Sequence, residues 1–371
     1  MAILISSLAF LLLLSVLILI HELGHFVAAR FFGVTVEEFG FGLPPRVLSL
    51  FRWRGTLFSL NGVPFGGFVR LKGENAMEHA ENRAPGSFGG ASIPARLVIL
   101  SAGVFMNFLL AIALLTLGFS LWQWVPVSVY TSLEHMQMAA DRGIVEMELG
   151  VRIVDVVGGG GAAQAGMAAG VFVTAIDDVP IRTPDDVVAA QSGKRQVMYT
   201  VTDPVADEER TYTVSLSDGQ AGVAMSAFPL RIAGVAQPVH RAFFLALEDA
   251  WMMMVQTVYA IGQLFVSLAQ RGIVPEGISG IVGIAQYTHI SVQEGFGAYL
   301  RLVALLSLSL AALNILPLPA LDGGRIVFVL AELVQRRPVN RTFEVVTNSI
   351  GFVFLVLLLL LITYHDILRL F

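Results

Sequence analysis

The sequence predicts a polytopic α-helical membrane protein with four transmembrane helices, a cytoplasmic membrane-associated β-hairpin region and one extracytoplasmic α+β domain. Three observations lead there. Of 371 residues, 56% are hydrophobic and 14% charged, and mean hydropathy is +0.74, which is too apolar for an ordinary soluble protein. Four segments, about Ile3 to Phe32, Ile93 to Leu121, Tyr299 to Pro317 and Val346 to Leu368, approach or exceed the roughly 20 apolar residues that cross a bilayer. Between the second and third lies a long stretch of short strand-like runs separated by glycine-rich turns. A net charge of −5 argues against a nucleic-acid partner, and the lack of cysteine excludes disulfides, thiolate-held metals and thiol nucleophiles.

The first span lacks a basic leading region and a small-residue cleavage site, so it reads as a helix of the mature chain and not as a signal peptide. The following loop, Gly33 to Ser92, contains the alternating, aromatic-rich runs Val34 to Phe41, Arg46 to Trp53 and Thr56 to Leu60. Gly55 punctuates the last two as a hairpin. Farther along, Gly66 and Gly67 permit close approach of another backbone. This loop carries Arg46, Arg52, Arg54, Arg70, Lys72 and Arg83, and the loop after the third span carries Arg325, Arg336, Arg337 and Arg341. Both are therefore expected in the cytoplasm. Trp122 to His240 holds fourteen Asp or Glu against seven Lys or Arg and is expected outside. The uncharged stretch Ala250 to Ala269 is interrupted by Gln256, Thr257, Gln263 and Ser267. It reads as an amphipathic helix lying on the membrane or against another domain. The expected organisation is a membrane core at 1–121, an extracytoplasmic region at 122–232, an interfacial helical segment at 233–298 and a second membrane core at 299–371.

Chemistry enters at the end of the first span, where His21-Glu22-Leu23-Gly24-His25 closes an uncharged run. On a helix, residues four apart share a face, so both imidazoles reach one tetrahedral metal ion. Glu22 projects about 100° away, beside the ion's open position, where it can take a proton from water. Ionisable groups at membrane depth are costly and mark function. Catalytic zinc takes three protein ligands, so a third comes from elsewhere.

Asn314-Ile-Leu-Pro-Leu-Pro-Ala-Leu-Asp322-Gly-Gly324 ends the third span with two prolines and a single carboxylate. At about 1.5 Å per residue, His21 and His25 lie roughly 27 to 33 Å below Ile3, and Asp322 roughly 32 Å below Arg301. All three reach the cytoplasmic side together, which makes Asp322 the expected third zinc ligand. Pro317 and Pro319 break the helix and free backbone carbonyls, which is tolerated where backbone lines a cavity. Asn314 either hydrogen-bonds an unwound substrate or holds the broken helix together. Asn107, in the second span, either lines the site or bonds another helix. The remaining histidines, His79, His135, His240, His289 and His365, are expected at the surface or interface and away from metal.

These pieces resemble the site-2 protease family of intramembrane zinc metalloproteases, closest to its bacterial regulator-of-sigma-E protease branch. The resemblance runs through His21-Glu-Leu-Gly-His25-Phe, Phe39-Gly-Phe-Gly42, Val63-Pro-Phe-Gly-Gly-Phe68, Asn107-Phe108, Ser279-Gly-Ile-Val-Gly-Ile-Ala285 and Asn314 through Gly324, covering nearly the whole chain. It implies His21, His25 and Asp322 as ligands of Zn2+, Glu22 as general base and acid, and Asn314 as a substrate contact. Together with Pro317, Pro319, Gly66 and Gly67, Asn314 forms the expected substrate-binding set. The resemblance also implies single-pass membrane substrates such as an anti-sigma factor, signal-peptide remnants as further substrates, and both termini outside the cytoplasm. Two departures stand out: Gly103-Val104 and Gly280-Ile281 occupy positions where the family usually has Gly-Pro. Val151 to Leu216 looks like one PDZ-type domain, with a helix capped at Thr183-Pro-Asp-Asp-Val187 and four glycines in place of the usual Ser-Pro. The rival readings are a metal transporter, which needs polar groups at several depths, and a noncatalytic scaffold built on the PDZ-like module.

Overall fold

The computed structural model describes residues 2–74, 84–203 and 208–369, with the backbone alone at 64 and 65. His79 and Arg83 lie outside the described residues. The chain divides into two units, one made of Met1–Trp122 with Pro238–Phe371 and the other of Gln123–Gln237.

The first unit is built on α1 (Ala2–Phe31), α2 (Ile93–Leu121) and a helix at Phe296–Ile315. The second span begins as predicted. Ser92 caps α2 by accepting from Ala95 N, and Pro94 occupies the first turn, where a missing N–H costs nothing. The register of the three helices is set by a few contacts. Tyr299 Oη donates to Ala9 O at 2.9 Å, Leu13 and Leu17 pack on Val303, and Ser307 Oγ donates to Asn107 O at 2.8 Å. The Phe296–Ile315 helix therefore descends beside α1 in the same direction, with α2 antiparallel to both. Between lipid-facing helices such close packing and buried hydrogen bonds carry the association, because lipid is as apolar as leucine.

Between α1 and α2, β1 (Val36–Trp53) and β2 (Thr56–Leu71) form an antiparallel pair turning at Arg54-Gly55, as the loop pattern predicts. The pair folds over itself, so that Phe39 stands opposite both Val69 and Phe58. Phe26 of α1 packs edge-on against Phe39 and Phe58, which pins the sheet beneath the metal-motif end of α1. Val34, Val36, Leu71, Ile99 and Leu100 complete this core.

The second unit contains α3 (Leu133–Asp141), β3 (Val145–Val156), α4 (Gly161–Gln164), β4 (Phe172–Ile176), β5 (Val179–Pro180), α5 (Pro184–Gln191), β6 (Gln196–Asp203), β7 (Glu208–Ser215) and β8 (Val223–Gly234). The strands form one antiparallel sheet in the order β7-β6-β4-β3-β8, with β5 beside β4. Val151, Ile153, Val173, Ile176, Tyr199 and Val214 fill its core. The predicted cap is present: Thr183 accepts from Asp186 N while the Asp186 carboxylate accepts from Thr183 N.

The chain returns to the first unit through α6 (Val239–Arg271) and α7 (Ile281–Glu294). It continues as α8 (Phe296–Ile315), α9 (Asp322–Gln335) and α10 (Arg341–Leu368). The four expected spans fall on α1, α2, α8 and α10. Among the described residues, five helices are long and apolar enough to cross a membrane by length and composition, the fifth being α6. It runs 33 residues, beyond the uncharged stretch at 250–269 and inside the segment 233–298 expected to be helical.

Candidate metal centre

The C-terminal third of α1 carries His21 and His25 one turn apart, both buried. Asp322 is the first residue of α9, after a break at Leu316 to Leu321 in which Leu316 is extended and Ala320 takes a positive φ of 72°. The break is held from α10, where Asn348 Oδ1 accepts from Ala320 N at 3.1 Å. Parallel descent of α1 and α8 brings the three side chains together. His21 Nε2 lies 3.0 Å and His25 Nε2 3.3 Å from Asp322 Oδ2, and the two Nε2 atoms are 3.2 Å apart.

This triangle has the size a metal needs. Donors bonded at about 2.0 Å around a tetrahedral zinc stand about 3.3 Å from one another. Asp322 Oδ2 is buried without a well-formed hydrogen bond, as expected of an oxygen whose partner is an ion. The outer nitrogens are also held. His25 Nδ1–H donates to Ile99 O at 2.8 Å, which directs Nε2 toward the other two donors. At His21, Nδ1 lies 3.4 Å from the Asn107 amide, which is fully buried and has an unpaired Oδ1. With Nε2 as metal donor, Nδ1 carries the proton, so the amide oxygen belongs on the histidine side.

Glu22 lines the same cavity of about 150 Å3 as the three candidate ligands, together with Phe68, Val69, Leu71, Glu74, Ile99, Leu100 and Arg325. Gly67 runs beside it: a Cβ there would stand 3.6 Å from Glu22 Cγ and 3.1 Å from Gly40 O. Gly66, with φ of 102°, instead abuts Leu43. Neither Asn314, half-buried in the last turn of α8, nor Pro317 and Pro319 in the break lines this cavity.

Two contributors have roles that the sequence does not show. A Cβ on Gly103 would fall 2.5 Å from His25 Nε2 and 2.6 Å from His21 Cε1. Gly103, the glycine retained where Val104 departs from the Gly-Pro pattern, is therefore where the α2 backbone comes closest to both imidazoles. The Ile99 carbonyl acts through its backbone and leaves no mark in the sequence.

The model of peptidase family M50 matches residues 9–358. The chain belongs to that family, the site-2 proteases. It is 28% identical to zinc metalloprotease RasP of Oceanobacillus iheyensis, across 98% of this chain and 99% of that one. It is 28% identical to a protein of Clostridium perfringens, across 96% and 97% of the two chains. It is 29% identical to one of Fusobacterium nucleatum, across 97% of each. Both of these relatives are provisionally named zinc metalloproteases. This multi-pass M50 chain is a zinc metalloprotease, and His21, His25 and Asp322 form its candidate metal site.

Proposed function

We propose that the protein is an intramembrane endopeptidase that cuts the transmembrane segment of single-pass membrane proteins, with His21, His25 and Asp322 holding zinc and Glu22 handling the proton. The convergence of the three donors and Glu22 on one cavity at the end of a span carries this reading. When bound, zinc supplies the Lewis acidity that activates water and polarises the scissile carbonyl. Glu22 takes the proton of the attacking water and passes it to the leaving amine. Asn107 and the Ile99 carbonyl hold the imidazoles, while Phe68, Val69 and Leu100 keep bulk water from the reacting bond.

A helical substrate must unwind before it is cut. The β2 backbone beside Glu22 supports capture of the unwound segment as an added strand, with Gly66 and Gly67 leaving room for it. Asn314, Pro317 and Pro319, at and beside the break before Asp322, offer polar contact and freed carbonyls to the same segment outside the metal cavity.

The proposed topology has four crossings, with α6 interfacial. Unit 2 contains no candidate span among its described residues, so α6 begins on the side where α2 ends. Its far end packs Leu264 and Leu268 on Val274, Leu358 and Ile362. Ile362 is fourteen residues beyond Asn348, about 21 Å along α10 from the level of the metal site. Both ends of α6 thus lie away from that level, which supports an extracytoplasmic position for α6 and for the module at 123–237. The module is read as PDZ-like. The resemblance to regulator-of-sigma-E proteases points to the bacterial cytoplasmic membrane, with an anti-sigma factor and signal-peptide remnants as substrates.

Glu22→Gln tests the chemistry. Cleavage of a reconstituted model substrate should fall by about 10^2 to 10^4 while zinc content stays at one equivalent. Undiminished turnover by the zinc-loaded variant refutes the assignment.

A further inference from the structure

Arg325 is the one lysine or arginine lining the metal cavity among the described residues, and it also lines a second cavity of about 470 Å3. It belongs to the first turn of α9, its guanidinium lies 5.6 Å from the Phe88 ring centre, and Glu74 Oε1 neutralises it at 2.5 Å. Glu74 lines both cavities as well, so the ion pair forms the wall between them. Behind it, Arg341 donates to the Glu74 backbone carbonyl and pairs with Glu344 at 2.7 Å, and both line the second cavity alone.

Peptide hydrolysis breaks the C–N bond, joins the water oxygen to the acyl carbon and moves a proton to the amine. One product therefore acquires a carboxylate in a site where Asp322 and Glu22 already match the two positive charges of a bound zinc, so the new charge calls for a further cation. An uncompensated carboxylate in such a place is costly. We infer that Arg325 is the binding site for the newly formed carboxylate of the cleaved substrate, which displaces Glu74 from the guanidinium and leaves through the cavity that Arg341 lines. Exchange of one carboxylate for another on the same planar fork keeps its geometry. Glu74 is then a resident stand-in that closes the wall when no product is present. This inference rests on the proteolytic reading above.

The test measures binding of two peptides to the zinc-loaded full chain by fluorescence anisotropy. Both match the amino-terminal product of a model substrate, one ending in a free carboxylate and the other in a carboxamide. The acid should bind more tightly by about tenfold or more in the unaltered protein, the size of a hydrogen bond to a charged group. Arg325→Met should reduce that ratio several-fold, Arg325→Lys should hold it between the two, and Glu74→Gln should raise it. Zinc contributes equally to the preference in every zinc-loaded variant, and loss of packing weakens acid and amide alike, so opposite movements are specific to carboxylate exchange. Should one variant lose its zinc, the sign of the other decides. An acid-to-amide ratio that stays the same, or moves in one direction for both substitutions, overturns the inference. If the unaltered enzyme cuts no membrane substrate, the proteolytic reading falls; if it cuts and these ratios do not move, only this inference falls.

Discussion

Gly103→Ala offers a sharp test of the metal centre, because one added carbon sets two consequences against each other. In the interior of α2, alanine is the better helix former by about 1 kcal/mol, so the helix itself gains. The same methyl group would stand 2.5 Å from His25 Nε2, where ordinary contact begins near 3.4 Å. The imidazole or the helix must move by about 0.9 Å, well beyond the roughly 0.2 Å tolerated in metal–ligand distances. His21 cannot absorb the shift, since its Cε1 and Nε2 would lie 2.6 and 2.8 Å from the same carbon. Zinc affinity should drop on the order of 100-fold, at the upper end of what loss of an outer-shell support costs. Competition against a chelating indicator measures this, with thermal unfolding of the same preparation showing that the helices remain assembled. A folded Gly103→Ala protein that binds zinc as tightly as the unaltered one would refute the placement of α2 against both imidazoles.

Four further outcomes follow from the same geometry. Asp322→Ala should leave the two imidazoles with substoichiometric zinc by metal analysis and no measurable cleavage. Asn107→Leu, nearly equal in volume, should weaken zinc binding by about 10- to 100-fold by removing the partner of His21 Nδ1, with the melting temperature little changed. Asp366 Oδ2 accepts from Gly280 N and Gly283 N at 2.8 and 2.9 Å, fastening α10 to the start of α7. Asp366→Ala should therefore lower stability by about 1 to 3 kcal/mol, read from denaturant unfolding, because two buried donors lose their acceptor. In the second unit, burial pushes the Tyr199 hydroxyl up to about 12, above its ordinary value near 10. The folded state favours the neutral phenol, so this contribution is whole below pH 10 and is lost as pH rises toward 12. Alkaline titration of β-sheet circular dichroism checks it, and Tyr199→Phe should remove that step.

The legible parts of this chain are those in which function depends on what a residue supplies. Two histidines one turn apart, a carboxylate between them and an aspartate after a proline-broken helix announce donor chemistry by type and spacing. Counting helical rise from Ile3 and Arg301 puts them at one depth before any contact is known. The hairpin at Gly55 and the cap at Thr183 are legible for the same local reason. The length of α6 was not, because its first turns, beginning at Val239, lie outside the uncharged stretch, although Ala242, Ala246 and Asp249 are buried there. Asn107 was visible as a polar residue in a span, yet its direction, toward His21, depends on the rotation of α2.

Gly103 shows the limit more clearly. Its role is to leave space, and an empty position carries no chemical signature until two helices are set side by side. The same reasoning explains why Asn314, singled out for its polarity, does not line the metal cavity while Gly67 runs beside Glu22. A side chain advertises what it offers, but a site inside a bilayer is equally defined by where backbones draw close enough to exclude lipid and water. Only interhelical distances carry that information, and in this chain they converge on the two imidazoles.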